Sequence, residues 1–235
     1  MRIAIHQPEF LPWPGFFNKM FLADLFVIFD HVQFKKRYFE NRNRIVSPRG
    51  ETAWVGVPVK SKGKFTQAIK DVEIDNSQLW KNKLLTTVGH YYGRAPFFGD
   101  YFPGLKALIE EREYGRLIDL NMELISFFRR NLGIATRMEF SSGMGVEDFR
   151  ASDLILNICR KNGAGEYLCG SSGKDYLKEE DFEKNGIGIT WLDYKPPVYG
   201  QLCGEFKAGM STLDILFNHG GNSLEILTGN ITTGS

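Results

Sequence analysis

Apolar and polar positions alternate between two periods along this chain. Arg2-Ile3-Ala4-Ile5-His6 is a short apolar run with the length of a buried strand, and Pro8, Pro12 and Pro14 stop it from continuing regularly. Gly15 opens the stretch Phe16-Phe17-Asn18-Lys19-Met20-Phe21-Leu22-Ala23, which has the apolar density of a packed helix. A second strand follows at Leu25-Phe26-Val27-Ile28-Phe29 and closes on Asp30 and His31. Strand, proline-rich loop, helix and strand within about 30 residues suit a right-handed parallel crossover. That crossover predicts His6, Gln7, Asp30 and His31 at the carboxyl edge of adjacent strands, where ligands of open α/β sheets collect.

The middle of the chain is helical. Residues 54–59 and 68–74 alternate enough to predict strands, and Asp75-Asn76-Ser77 supplies N-cap groups for a helix through Trp80, Leu84 and Leu85. Pro96 and Pro103 interrupt an aromatic stretch. Helices are then expected over 105–113 and 117–131, the second from the rhythm of Leu117, Leu120, Leu124 and Phe127 or Phe128, with Gly133 as its stop. From Met138 strands and helices alternate again: a helix over 149–160, a strand over 166–169, a helix over 176–185, a strand over 187–192. Ser211 or Thr212 caps a last helix ending near Gly220-Gly221. The expected fold class is α/β, with a mixed or mostly parallel sheet. Residues 1–235 read as a single domain carrying a helix-rich insertion or cap at roughly 77–132.

Composition narrows the classes. With 43% hydrophobic and 24% charged residues, 19 Phe, 9 Tyr and 4 Trp, the chain can bury a large core, which excludes a disordered or collagen-like protein. No run approaches the ~20 apolar residues of a membrane span. Three widely spaced cysteines, Cys159, Cys169 and Cys203, form neither a disulfide framework nor a zinc ribbon, and with no leader pattern they fit a cytoplasmic protein. The net charge of +1 hides an asymmetry. From Lys35 to Lys64 nine basic residues face only Glu40 and Glu51, a local balance of +7, so the remainder sums to −6. Such a patch suits a small anionic partner better than stable DNA binding.

Several residues carry candidate chemistry. A neutral imidazole at a strand end can exchange protons near pH 7, which makes His6 a candidate acid/base group, with Gln7 beside it as donor and acceptor. Asp30 and His31 form the matching pair one strand over; the bland reading makes them a local cap. In Tyr38-Phe39-Glu40-Asn41-Arg42-Asn43-Arg44, the forks of Arg42 and Arg44 suit phosphate or carboxylate, and Asn43 can read the polar edge of a sugar, base or amide. The alternative is internal ion pairing.

Gly170-Ser171-Ser172-Gly173-Lys174 follows a strand but lacks the full GxxxxGK[ST] pattern, and Asp175 stands where a magnesium-binding hydroxyl would be. What remains is a turn of small residues whose N–H groups, with Lys174, could hold an anion. His6, His31 and Asp30 lack HxH or HExxH spacing, so no metal is expected. Cys159 reads as core; Cys169 ends a strand without a local histidine to form its thiolate.

Beyond this chemistry, Ile5-His6-Gln7-Pro8, Phe10-Leu11-Pro12-Trp13 with Gly15, and Asp30-His31-Val32-Gln33-Phe34 followed by Asn41-Arg42-Asn43-Arg44 resemble the opening of the WbqC-like protein family. Tyr167-Leu168-Cys169-Gly170, Lys174-Asp175-Tyr176-Leu177, Trp191, Tyr194, Tyr199-Gly200-Gln201-Leu202 and residues 211–218 with Gly220 resemble its carboxyl half, so the likeness spans nearly the whole chain. The resemblance implies a place in bacterial surface-polysaccharide (lipopolysaccharide O-antigen) biosynthesis and transfer of an acyl or aminoacyl group to an amino sugar carried on a nucleotide. His6 matches the histidine of the opening motif, Asp30 and His31 its second polar pair, and Arg42 and Arg44 its basic segment. Many members have Ser where this chain has Cys169, which argues against a universal serine nucleophile. The donor would be an acyl thioester, an aminoacyl-tRNA or an amino acid activated by ATP, with no resident cofactor. Two other classes stay open: a nucleotidylyltransferase-like enzyme, although no HxGH follows His6, and a noncatalytic binding or scaffold protein for polysaccharide assembly.

Overall fold

The computed structural model describes residues 1–229 of the 235. Five strands form one parallel sheet: β1 (Arg2–His6), β2 (Leu25–Ile28), β5 (Arg137–Phe140), β6 (Glu166–Gly170) and β7 (Gly188–Leu192). Their order is β5-β2-β1-β6-β7. The chain winds outward from β1 to β2 and β5, then returns to the other side of β1 for β6 and β7. The direction reverses between β1 and β6, and ligands of such sheets bind outside the carboxyl ends at that point. The fold is α/β with a mostly parallel sheet; the antiparallel part is a separate hairpin, β3 (Arg42–Val46) with β4 (Thr52–Gly56).

Strand alternation sends successive side chains to opposite faces and gives two cores. Ala4, Phe26, Ile28 and Leu168 pack with Phe16, Phe17 and Met20 of helix α1 (Pro14–Leu22). Ile3, Ile5, Leu25 and Val27 pack on the other face against Ile155, Ile158 and Cys159 of helix α5 (Ala151–Lys161) and Phe182 of helix α6 (Glu179–Lys184). Each fully buried large side chain contributes roughly 1.5–3 kcal/mol. Three helices lie between β4 and β5: α2 (Trp80–Tyr92), α3 (Phe98–Glu110) and α4 (Leu117–Leu132). Their buried side chains, Val88, Ile109 and Leu124 among them, join the α1-side core. Gly133, at φ 70°, closes α4 with its N–H on the carbonyls of Arg129 and Arg130. Helix α7 (Thr212–His219) starts at Ser211, whose side-chain oxygen accepts from the Leu213 N–H, and is followed by the short α8 (Ser223–Leu227). No helix among the described residues is long and apolar enough to cross a membrane.

The structure corrects some expected elements. Residues 68–74 are not a strand: a 3₁₀ turn, Ile69–Asp71, sits between isolated bridges, because no neighbouring strand continues a ladder there. Helix α3 starts at Phe98 and tolerates Pro103 inside it. The helix expected over 176–185 shrinks to α6, preceded by a 3₁₀ turn, Ser171–Asp175. The basic segment 42–46, for which the sequence pattern predicts no element, is a strand.

Candidate functional site

A fork in the sheet creates the site. Strands β1 and β6 pair only at Arg2↔Glu166, Ile3↔Tyr167 and Ala4↔Leu168. Beyond that register β1 stays with β2 as far as His6↔Ile28, while β6 stays with β7 as far as Gly170↔Leu192. The carbonyls of Arg2 and His6 accept from Asp24 and Phe29 on the β2 side, so the intervening Ile5 carbonyl points into the fork. No strand reaches it. The ammonium of Lys19 does, donating from Nζ to Ile5 O at 2.9 Å.

The fork opens into a cavity of about 790 Å³. His6, Gln7, Glu9 and Lys19 line it from the β1–α1 side, and Cys169, Gly170, Ser171 and Ser172 from the end of β6. Trp13, Tyr38 and Tyr194 add aromatic walls, and Lys35 and Arg44 add positive charge. The proline-rich loop after β1 is fixed from several directions. Phe10 N–H donates to Phe39 O, Thr212 N–H to Pro12 O, and the Asn43 amide to the carbonyls of Phe10 and Leu11. Asn121 donates to both Pro8 O and Glu40 O, joining this loop to the segment before β3.

Burial sets the protonation states. His6 packs against the rings of Phe16 and Phe26, with centroids 5.0 and 6.3 Å away. Its Nδ1 lies 3.0 Å from Gln7 O, and a carbonyl can only accept, so Nδ1 carries the hydrogen and Nε2 keeps a lone pair. Burial, aided by the charge of Lys19, lowers the His6 pKa to about 4. Burial also lowers Lys19 to about 8; this ammonium has no carboxylate partner among the described residues. Glu9 is raised to about 8 by burial and by the neighbouring carboxylate of Glu40, and Glu40 itself is raised by burial to about 7. At neutral pH the cavity therefore holds a neutral imidazole, a largely protonated carboxyl and an amine close to its own pKa.

Of the residues singled out in the sequence, His6, Gln7, Arg44, Gly170, Ser171 and Ser172 converge on this cavity. Asp30 and His31 do not line it. The Asp30 carboxylate accepts from Ser141 Oγ at 3.0 Å, Ser142 N–H at 2.9 Å and Ser142 Oγ at 2.6 Å, and His31 Nδ1 lies 2.7 Å from Ser141 Oγ. Both hold the turn after β5. Arg42 stacks on Trp54, Cζ 4.1 Å from the ring centroid, and lines a separate groove between β4 and α2. Asn43 is fully buried and spends its amide on loop carbonyls. Lys174 lies 5.7 Å from the Trp191 ring centroid, outside the cavity wall.

Sequence reasoning missed Glu9 and Lys19. Lys19 had a signal, as the one charged residue in PGFFNKMFL on a helix whose neighbouring positions are apolar. Glu9 had little, since an acidic residue between prolines reads as solvated loop.

An uncharacterised protein, Rv1507c of Mycobacterium tuberculosis, is 34% identical over 227 residues, covering 96% of this chain and 97% of its own length. No solved structure matches. The family model described as the WbqC-like protein family matches residues 7–226, from the glutamine after His6 to the last helix. The chain belongs to the WbqC-like protein family.

Proposed function

We propose that this protein transfers an acyl or aminoacyl group to the amine of an amino sugar, carried on a nucleotide, during the biosynthesis of bacterial surface polysaccharide. The observation that carries the reading is the placing of a neutral His6, a still mostly positive Lys19 and a protonatable Glu9 around one cavity at the sheet's reversal point. Acyl transfer to an amine needs those capacities: a site that accepts the amine's proton and a positive group facing the carbonyl oxygen as it becomes an oxyanion. Trp13 and Tyr194, whose rings meet edge to face at 5.4 Å, give the apolar surface on which a sugar ring stacks. Lys35 and Arg44 supply charge for the phosphates of a nucleotide or of an activated donor.

In this mechanism the amine nitrogen bonds to the donor carbonyl carbon, whose oxygen takes the electron pair and faces the Lys19 ammonium. The nitrogen's excess proton passes to His6 Nε2. A weakly basic imidazole suffices, because an amine already bonded to that carbon is far more acidic than a free ammonium. The intermediate collapses as its oxygen re-forms the carbonyl and the bond to the leaving group breaks: a thiolate or a ribose alkoxide takes the proton back from His6, whereas the phosphate of AMP, from an adenylate donor, leaves as the stable anion and His6 releases its proton to solvent. The donor is an acyl thioester, an aminoacyl-tRNA or an amino acid activated by ATP.

Incubation of the purified chain with nucleotide-linked amino sugars and each donor class, read by mass spectrometry, tests the reading. The expected result is an acyl or aminoacyl mass increment on the sugar, lowered roughly 10²–10⁴-fold in a folded His6→Ala variant. Nucleotide-sugar and surface-glycan pools that do not change when the protein is removed from its host would overturn it.

A further inference from the structure

We infer that Glu9, backed by Glu40, is a receptor for a primary ammonium group, so that the ligand held in the fork is an amine and enters in its charged form. This rests on the transferase reading only for which substrate brings the amine.

Two carboxyls are buried here without a cation. Glu9 is 6% exposed and Glu40 is 1% exposed. Glu9 Oε2 and both carboxyl oxygens of Glu40 are shielded from solvent and lack a hydrogen-bond partner. A buried carboxyl without partners costs several kcal/mol when ionised. Neighbouring charges do not remove that cost. The peptide N–H of Trp13 favours ionised Glu9, and the peptide N–H of Glu40 itself, then the charge and peptide N–H of Lys35, favour ionised Glu40, yet burial outweighs them at both, with the Glu40 carboxylate adding repulsion at Glu9. Lys19 is spent on Ile5 O.

Only Glu9 reaches the cavity. Its Oε1 stands 4.0 Å from His6 Nε2, too far for a direct hydrogen bond and, with both groups neutral, not an ion pair. Two acceptor atoms 4.0 Å apart fit one nitrogen lying about 2.9 Å from each, donating a separate N–H to each. A primary ammonium has that geometry and adds the positive charge the carboxyls lack. A divalent cation fits less well, because no group of three His, Cys, Asp or Glu side chains converges to ligate one among the described residues.

The proton balance follows. Glu9 holds a proton in the empty cavity; when R–NH₃⁺ docks, that proton leaves to solvent and the carboxylate pairs with the ammonium. Before bond formation the ammonium gives one proton to the Glu9 carboxylate and becomes a nucleophilic R–NH₂, and the second proton goes to His6 as the carbon–nitrogen bond forms. Glu40 touches neither reactant; it is a positioning residue that keeps Glu9 basic enough for the first transfer.

Calorimetric titration of the full chain near pH 7 with glucosamine, N-acetylglucosamine and glucose, in two buffers of different ionisation enthalpy, tests this. The amine is expected to bind at least about tenfold tighter than the other two, a gain of about 1.4 kcal/mol, with release of most of one proton. Glu9→Gln should abolish both the preference and the release. Glu40→Gln should keep the preference while reducing the release, because without the neighbouring carboxylate the Glu9 pKa falls part of the way back and less of Glu9 is protonated at pH 7, burial still holding it above the ordinary range; this variant and the pH dependence of wild-type binding decide the matter if Glu9→Gln does not fold. Absence of an amine preference, whether all three sugars bind alike or none binds, overturns the inference. So does an amine preference that survives in folded Glu9→Gln, or thermal stabilisation by Mg²⁺ or Mn²⁺ in place of the amine. Amine binding without turnover would remove the transferase reading alone, and turnover without an effect of Glu9 would remove this one alone.

Discussion

Gly173 faces the thiol of Cys169 so closely that a Cβ built on it would overlap Sγ, with Trp191 at 3.0 Å and Leu177 at 3.2 Å behind. The glycine after the Ser171-Ser172 pair thus makes room for the end of β6, where a side chain would push the cavity wall. Gly173→Ala is expected to lose about 1–3 kcal/mol of stability from overpacking. Cys169→Ala should restore part of that loss in the double variant. Urea unfolding of the four proteins of this cycle measures the coupling; additive effects would show that the two positions do not compete for the same space.

Asp30 offers a second check, because its carboxylate is engaged by Ser141 and Ser142. Asp30→Asn keeps the shape but gives up charge-assisted acceptance, so a stability loss of about 1–3 kcal/mol is expected with little change in amine or nucleotide affinity. A variant as stable as the parent that no longer binds ligand would return Asp30 to the site.

The contrast between Asp30 and His6 shows how far the sequence could be read. His6 ends β1 and Asp30 follows the end of β2 by two residues, and pattern alone places both at the carboxyl edge. It does not tell which strand gap opens: β2 stays paired with β5 up to Ile28↔Phe140, whereas β1 leaves β6 after Ala4↔Leu168. The crossover through α1 and the stop of α4 at Gly133 depend on local periodicity and a left-handed glycine, so they are visible in the chain. Strand β3 was hidden. Arg-Asn-Arg-Ile-Val has a polar residue at a buried position, and Asn43 is held there by carbonyls of a loop more than 30 residues earlier. Lys19 and Glu9 were hidden for the same reason, since a charge reads as solvated until the tertiary fold removes the water.

Stability should fall as pH rises from about 6.5 to about 8. Glu9 and Glu40 have folded pKa values raised to about 8 and about 7 from an ordinary 4.5, so the native state holds protons there that the unfolded chain has released. Their contribution is complete below about 4.5 and lost as pH passes the folded values. His6, lowered from 6.5 to about 4, acts oppositely, but only below 6.5. Lys19, lowered from 10.5 to about 8, restores stability only above about 8. The expected loss between 6.5 and 8 is on the order of 2 kcal/mol. Urea midpoints across this window should drop for the parent and stay nearly level for Glu9→Gln; parallel curves would mean that Glu9 ionises normally in the folded protein.

The two arginines of β3 should separate by function. Arg44 lines the cavity beside Gly209, while Arg42 stacks on Trp54 and faces the other groove; the buried Nε of each has no hydrogen-bond partner. A guanidinium in a fixed position offers a phosphate two parallel N–H donors; a lysine there keeps the charge and loses the fork. Arg44→Lys is therefore expected to weaken binding of a nucleoside diphosphate about 10-fold, or about 1.4 kcal/mol, at constant ionic strength. Arg42→Lys should change it little and cost some stability through the lost stacking on Trp54. Calorimetry on both variants across a salt series decides between a specific contact and a diffuse positive surface. A diffuse surface predicts equal, small effects of the two substitutions and a uniform loss of affinity as salt rises. That outcome would leave β3 as a structural strand with Arg42 stacked on Trp54, and the phosphate contact reassigned to Lys35 or to the N–H groups after β6.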